Sequence, residues 1–297
     1  LNNVEYGMVT TDFGVGDDGA LSVTTLGDNI IAAGYATGPD GSDEDFALAS
    51  YKRNGELDTT FGPNGTGKVT TVLGAGNDAV NSVTILGDNI IVAGYASIAG
   101  VDRFALASYK RNGELDTSFG TDGTGKVTLM VMGGLPGEYY SVTTLGDKII
   151  VAGFMNGSFI GSSSNPFTMA CYTSDGIIDT TFGTDGTSIV ATYFFEDGTG
   201  FENWTALSIT TLDDNIIVSG FTNSVPNRFA LVSYTSNGIL DTRFGRAGDG
   251  MVVTDFGYLA SGATSVTTLN NNIIVAGTIL KVGAVVFALA RYTSNGI

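Results

Sequence analysis

The sequence predicts an all-β protein, a five-bladed β-propeller with four antiparallel strands per blade, and three observations lead there. One phrase returns five times: GDNIIAAGYA, GDNIIVAGYA, GDKIIVAGFM, DDNIIVSGFT and NNNIIVAGTI. Its glycine stands at Gly34, Gly94, Gly153, Gly220 and Gly277, at spacings of 60, 59, 67 and 57 residues, so the unit is about sixty residues long. A unit of that length cannot bury its apolar face alone and must stack on its neighbours. Second, each unit divides into four short β-rich runs separated by Gly, Asn and Asp, which is the make-up of a propeller blade. Third, the chain ends YTSNGI and begins LNNVEYGMVTTDFG; joined, these read like the internal stretch from Tyr234 to Gly257. The termini are two halves of one repeat, so the array is expected to close into a ring.

The second repeat shows each strand in turn. The β-branched run Ala79 to Leu86 is stopped by Gly87-Asp88, and NIIVAGYA follows from Asn89 to Ala96. RFALASYK runs from Arg103 to Lys110, Asn112-Gly113 turns the chain, and KVTLMVM closes the unit from Lys126 to Met132. No window has helical periodicity with capping signals. Strands packed on both faces should be apolar throughout, as IIVAGYA and FALASY are. The first strand of each unit carries a small residue in register, at Ser22, Ser82, Ser141, Ser208 and Ser265, which suits the crowded innermost position.

One domain over residues 1–297 is therefore expected, with blade cores at about 20–73, 80–132, 139–194, 206–256, and 263–297 plus 7–13. In that scheme Gly7 to Phe13 supply the outermost strand of the last blade and Val286 to Thr293 its third, a clasp that removes an exposed sheet edge.

Composition removes several function classes. The net charge is −17, from 30 acidic and 13 basic residues, which repels phosphate backbones and argues against nucleic acid as a partner. Histidine is absent, which excludes a Ser-His-Asp triad and any His-containing zinc site. Cys171 is alone, so no intramolecular disulfide forms; the other repeats place Ser50, Ser108, Ser233 and Arg291 there, and a buried structural thiol is expected. No apolar run approaches the length of a membrane span. The chain begins at Leu1 without a signal-peptide pattern, as a mature or trimmed chain would. Oligomeric state is not readable.

The phrase LDTTFG recurs at 57–62, as LDTSFG at 115–120, IDTTFG at 178–183 and LDTRFG at 240–245. Its acids, Asp58, Asp116, Asp179 and Asp241, are candidate metal or catalytic carboxylates. The structural reading is preferred, because Asp-Thr favours side-chain-to-backbone turn bonds and catalysis rarely needs four copies. Phe61, Phe119, Phe182 and Phe244 are expected to wedge between blades. The order SVTILGDNIIVAGYA, then FALASYKRNGELDTSFG, then GKVTT resembles the delta-60 repeat family of bacterial β-propeller proteins, and more distantly the NHL-repeat propellers, over the whole chain. The resemblance implies a propeller, often on secreted or surface-attached bacterial proteins, and brings no defined activity. The first copy, LNNVEYG, departs from it, with Asn2 in place of the Asp and Tyr6-Gly7 in place of Phe-Gly.

A site is expected where the repeats stop agreeing. Met155 to Pro166 and Phe195 to Trp204 are longer than their counterparts, and in an antiparallel blade both connections leave the same face. They carry Phe159, Phe195, Glu196, Asp197, Glu202, Asn203 and Trp204, aromatic plates beside carboxylates and amides that suit a glycan or peptide. If Trp204 and Phe159 bind ligand, they should be exposed. A second candidate is a ring of acids before the innermost strands, at Asp17, Asp18, Asp78, Glu138 and Glu202. Asp18, Asp78 and Glu138 are the candidate metal ligands, for calcium or a similar hard cation; no cofactor motif is present. These observations favour a non-catalytic binding or interaction scaffold, secreted or at the cell surface, with a protein or glycan as ligand. The alternative is a glycosidase-like enzyme using Glu138 and Glu202 at the mouth of the central channel.

Overall fold

The computed structural model describes residues 7–39, 41–129, 137–155, 166–195, 201–202, 204–222, 226–258 and 260–297. Among them there is no α-helix. The chain divides into two compact units, one of Leu1–Val131 with Ser174–Ile177 and the other of Met132–Thr173 with Ile178–Ile297.

The first unit holds two four-stranded sheets, each in simple sequence order. The first contains β1 (Asp18–Leu26), β2 (Asn29–Thr37), β3 (Glu44–Tyr51) and β4 (Lys68–Thr71). The second contains β5 (Asp78–Leu86), β6 (Asn89–Ile98), β7 (Val101–Tyr109) and β8 (Lys126–Leu129). The second unit begins with β9 (Gly137–Leu145), β10 (Lys148–Met155), β11 (Phe167–Thr173) and β12 (Ile189–Thr192). A short hairpin of β13 (Phe194–Phe195) and β14 (Phe201–Glu202) follows. Next come β15 (Trp204–Leu212), β16 (Asn215–Thr222), β17 (Phe229–Thr235) and β18 (Met251–Thr254). The last sheet has β19 (Ala260–Leu269), β20 (Asn272–Lys281) and β21 (Ala284–Thr293). All pairings are antiparallel, as alternating turn signals and short connections require.

The glycine that marks each repeat has a steric cause. Opposite it, the inner strand carries a bulge, at Val80/Ser82 in the second sheet, with equivalents at Ala20/Ser22, Ala206/Ser208 and Ala263/Ser265. The bulge turns the carbonyl of Ala79 over Gly94, and a Cβ there would overlap that oxygen. Gly34 faces Gly19, Gly220 faces Thr205 and Gly277 faces Gly262 in the same way. Only a residue with no side chain fits.

Sheets stack within each unit by one repeated junction. In the first unit, β5 packs across β1, β2 and β3. Phe46, Leu48 and Phe61 are buried with Val80, Val83, Val92, Ala105, Ala107 and Tyr109 in one cluster. Three polar contacts pin this stack. The Val83 amide donates to Ser22 Oγ at 3.1 Å, the Tyr109 hydroxyl donates to Thr71 Oγ1 at 2.8 Å, and the Gly62 amide donates to the Asn112 carbonyl at 2.7 Å. In the second unit, Ile209 donates to Ser141 Oγ and Val266 to Ser208 Oγ, each at 3.2 Å. Tyr234 donates to Thr192 at 2.6 Å, and Tyr292 shares a 2.6 Å hydrogen bond with Thr254. Three of the in-register serines, Ser22, Ser141 and Ser208, are thus hydrogen-bond acceptors for the next sheet, a use beyond the small size expected of them. Phe61, Phe119, Phe182 and Phe244 are all buried, and their rings lie where Cβ atoms on Gly113, Gly176, Gly238 and Gly296 of the next turn would sit. The wedge expected of them is present.

The segment before β1 docks on the first sheet. Tyr51 donates to Thr11 Oγ1 at 2.7 Å, Lys68 Nζ to the Asp12 carbonyl at 2.6 Å, and the Phe13 amide to Asp18 Oδ2 at 2.7 Å. Residues Val9–Phe13 lie in no strand, and the sheet β19-β20-β21 has three strands among the described residues. The strand pair expected between Gly7–Phe13 and the last sheet is therefore not among the observed pairings.

Replacing Gly94 by Ala should force the bulge carbonyl of Ala79 aside, lowering stability by about 3 kcal/mol and the melting temperature by about 6–12 °C in calorimetry. Ala at Gly87, where φ is +61° and an added Cβ meets nothing within 4 Å, should cost only the strain of the left-handed backbone, about 1 kcal/mol.

Candidate functional site

The third sheet brings the two insertions to one end. Phe154 pairs with Phe167, and Phe167 pairs with Thr192, so β10, β11 and β12 finish or begin in a single row. The connection after Met155 and the connection after Thr192 both leave from that row. The second of these folds into the β13–β14 hairpin, in which Phe194 pairs with Glu202 and Phe195 with Phe201. Phe195 and Glu202 thus lie on a defined hairpin backbone, whereas Phe159, Glu196, Asp197 and Asn203 lie outside the described residues.

Trp204 is placed differently from the expectation. It is 6% exposed and meets Phe167 edge-on, with ring centroids 5.7 Å apart, so it is a packing residue and not an open stacking plate. The physical reason is register. Trp204 pairs with Thr222 as Asp78 pairs with Ala96, at the first position of the inner strand. That position is covered by the neighbouring sheet. Counting four residues back from Ser208 would have found it.

The acids of the expected ring do not share one register position. Asp18 and Asp78 begin their strands, but the matching positions are Gly137, Trp204 and Ser261, while Glu138 and Glu202 are offset by one and two residues. Asp78 is fully buried, and its carboxylate accepts the amides of Leu73 at 2.7 Å, Gly74 at 2.8 Å and Ser97 at 3.0 Å. It holds the end of one sheet to the start of the next. Among the described residues no three His, Cys, Asp or Glu side chains cluster as a metal site would require.

The repeated Asp of LDTTFG serves its turn. Asp58 Oδ1 accepts the Thr60 amide at 3.0 Å and its hydroxyl at 2.7 Å, and Asp58 Oδ2 accepts Asn29 Nδ2 at 2.6 Å. Asp116 repeats this with Ser118 and Asn89. Asp241 uses Arg243 and Asn215. The third sheet departs from the rule. Lys148 replaces the Asn and lies 2.9 Å from Asp179 Oδ2, while Cys171 replaces the Ser, its Sγ 3.9 Å from the same oxygen. The Thr181 hydroxyl, then Lys148, hold the Asp179 carboxyl at a pKa of about 2 against the cost of burial. Burial pushes the Cys171 thiol up to about 12, so this cysteine is a packing residue with no thiolate at neutral pH.

Two clefts remain. One, of about 160 Å³, lies on the first sheet and is lined by Val9, Ala20, Ala47, Ala49 and Tyr51 among others. Another, of about 280 Å³, is lined by Leu207, Phe221, Ser261, Thr278 and Leu280 in the second unit. Neither gathers opposed carboxylates.

Repeated four-stranded sheets, joined by identical junctions and built on one sixty-residue phrase, define a β-propeller repeat protein. Residues 28–61, 88–119, 147–182 and 269–296 match the family model described as a domain of unknown function (DUF5122) beta-propeller. The match over four stretches supports a β-propeller repeat family, in agreement with the delta-60 resemblance. No curated protein matches the sequence. Among solved structures, a thermostable family-43 glycoside hydrolase is similar at 13% identity and a TM-score of 0.47, covering 97% of this chain and 95% of its own. The GH43 endo-arabinanase from Bacillus licheniformis is similar at 12% identity and a TM-score of 0.43, covering 91% and 92%. A neuraminidase-like protein of subtype N11 from an influenza A virus of a flat-faced bat in Peru has 11% identity and a TM-score of 0.44, covering 94% and 74%. At such similarity nothing about activity carries over. No helix among the described residues is long and apolar enough to cross a membrane.

Because the folded carboxyl of Asp179 titrates below its ordinary value of 3.8, its contribution to stability is full above about pH 4 and is lost as pH falls towards 2. An Asp179→Asn variant should be less stable than the parent by roughly 1 kcal/mol at pH 7, with the difference shrinking between pH 4 and pH 2 in chemical denaturation.

Proposed function

We propose that this chain is a non-catalytic binding scaffold, secreted or at the cell surface, that presents a protein or glycan ligand with the loops on one end of its sheets. The ring of five blades is part of this reading, with Gly7–Phe13 completing the last one. The observation that carries it is the row Phe154–Phe167–Thr192, from which the two longest departures from the repeat both emerge. Everything else in the repeat is committed to packing: the Asp carboxylates to turns, the serines to junctions, the tyrosines to threonines. The ligand-contacting residues are then Phe159, Phe195, Glu196, Asp197, Glu202 and Asn203, while Trp204 packs on Phe167.

A glycan array, read with and without calcium, tests this against a variant in which residues 157–164 are replaced by Gly-Gly. Binding by the parent should be lost in the variant, with a melting temperature unchanged within about 2 °C. Silence of the parent on the array would overturn the glycan arm and leave a protein ligand. Sugar release from any arrayed glycan would overturn the non-catalytic reading in favour of a glycosidase.

A further inference from the structure

The repeated phrase includes a run that matches an outer strand, and in every copy but one that run carries a charge. It reads GKVTTVLG at 67–74, GKVTLMVM at 125–132, GMVVTDFG at 250–257 and GMVTTDFG at 7–14, with Lys68, Lys126, Asp255 and Asp12. The third repeat reads SIVATYFF at 188–195 and has no charge at all. Charged side chains, lysine above all, guard an open strand edge against pairing with another chain. Among the described residues β12 is the edge of its sheet, pairs with β11 alone and lacks that guard.

The strand also stands further from its turn than its counterparts do. Ser188 takes the place of Gly67, Gly125 and Gly250 and keeps their left-handed backbone, at φ +63°, while fully buried. Its carbonyl accepts the Cys171 amide at 3.3 Å, where the matching bonds to Gly67, Gly125 and Gly250 are 3.0 Å. An added Cβ on Gly62, Gly120 or Gly245 would collide with the carbonyl of Lys68, Lys126 or Met251. One on Gly183 would meet only the Val190 side chain within 4 Å. A groove of about 230 Å³ lies along the strand, lined by Asp185, Thr187, Ile189, Ala191, Tyr193 and Gly238. Because the Cys171–Ser188 bond joins opposite residues, Val190 and Thr192 also bond inward, and Ala191 turns its N–H and C=O outward. Among the described residues neither group of Ala191 has a partner.

We propose that the outer edge of β12 receives an extended segment of a partner protein as a fifth strand. The Ala191 N–H and C=O exchange hydrogen bonds with that segment, and its alternate apolar side chains enter the groove beside Ile189 and Tyr193. Asp185 uses Oδ1 to accept the Thr187 amide at 3.0 Å and its hydroxyl at 2.8 Å, and offers Oδ2 to a basic residue at that end of the segment. A second copy of this chain is disfavoured as occupant, because each copy carries a net charge of −17 and would bring acids towards Asp185. The edge is a different surface from the loop-borne site proposed above and does not depend on it.

The test screens the full chain against short synthetic peptides whose alternate positions are Val, Ile, Leu or Tyr and whose one end carries Lys, Asp or Ser. Lys-ended peptides should bind best, and N-methylation of the peptide backbone should abolish binding. Ala191→Pro removes an outward donor and no bond to β11, so binding should be lost with a melting temperature unchanged within about 2 °C. Ile189→Lys, which installs the guard found at Lys68 and Lys126, should have the same effect. Binding retained by both variants, or no binding by any peptide, would overturn the proposal. Asp185→Asn should weaken Lys-ended peptides about threefold and leave Ser-ended ones unchanged; an equal loss for both would overturn the charge pairing. A dimer in sedimentation that Ala191→Pro abolishes would make the occupant a second copy and overturn the foreign partner. The variant in which residues 157–164 are replaced should bind the same peptides as the parent, so failure of the loop site and failure of this edge are read separately.

Discussion

A sheet that is apolar on both faces has no stable place in water except between two others, and that requirement organises this molecule. Burying a Phe and a Leu on each face contributes about 2–3 kcal/mol per side chain, but only when a neighbouring sheet arrives. The repeated motifs are devices for that arrival. The bulge lets the inner strand turn its carbonyl over a bare glycine. The serine then takes an amide from the next sheet, the tyrosine reaches back to a threonine, and the phenylalanine of LDTTFG closes the outer end. None is strong alone, since a net hydrogen bond is worth about 1 kcal/mol. Their value lies in satisfying polar atoms that stacking would otherwise bury without partners.

Much of this was legible in the residues. The sixty-residue phrase located the sheets, and turn signals located the strands, because both are local. The wedge of Phe61 and its copies could be read because aromatic, turn and glycine recur together. What could not be read depended on register. Ser22 and its copies looked small because small was all that the sequence displayed; their acceptor role depends on which atom of the next sheet lies opposite. Trp204 looked like a ligand plate because it ends an insertion, yet the strand begins there and its ring goes inward. Glu138 and Glu202 looked like members of a ring with Asp78, but Glu138 stands one position further into its strand and Glu202 falls in the separate hairpin strand β14.

The third sheet shows how far a repeat can drift while its geometry survives. Asn becomes Lys148 and Ser becomes Cys171, yet Asp179 keeps its turn because Thr181 supplies the same bonds as Thr60 does for Asp58. The cation substitutes for an amide donor, and the thiol fills the space of the hydroxyl. The same sheet also carries both insertions, so variation in the connections coexists with a constant framework. Such a division suits a scaffold whose loops can change without loss of the core.

Residues Val9–Phe13 lie in no strand, yet they are tied to the first sheet through Tyr51, Lys68 and Asp18. A segment held in this way keeps its place without a ladder, by a few bonds each worth about 1 kcal/mol. Loosening one of those three side chains would therefore free the segment locally while the sheet beneath it stayed whole.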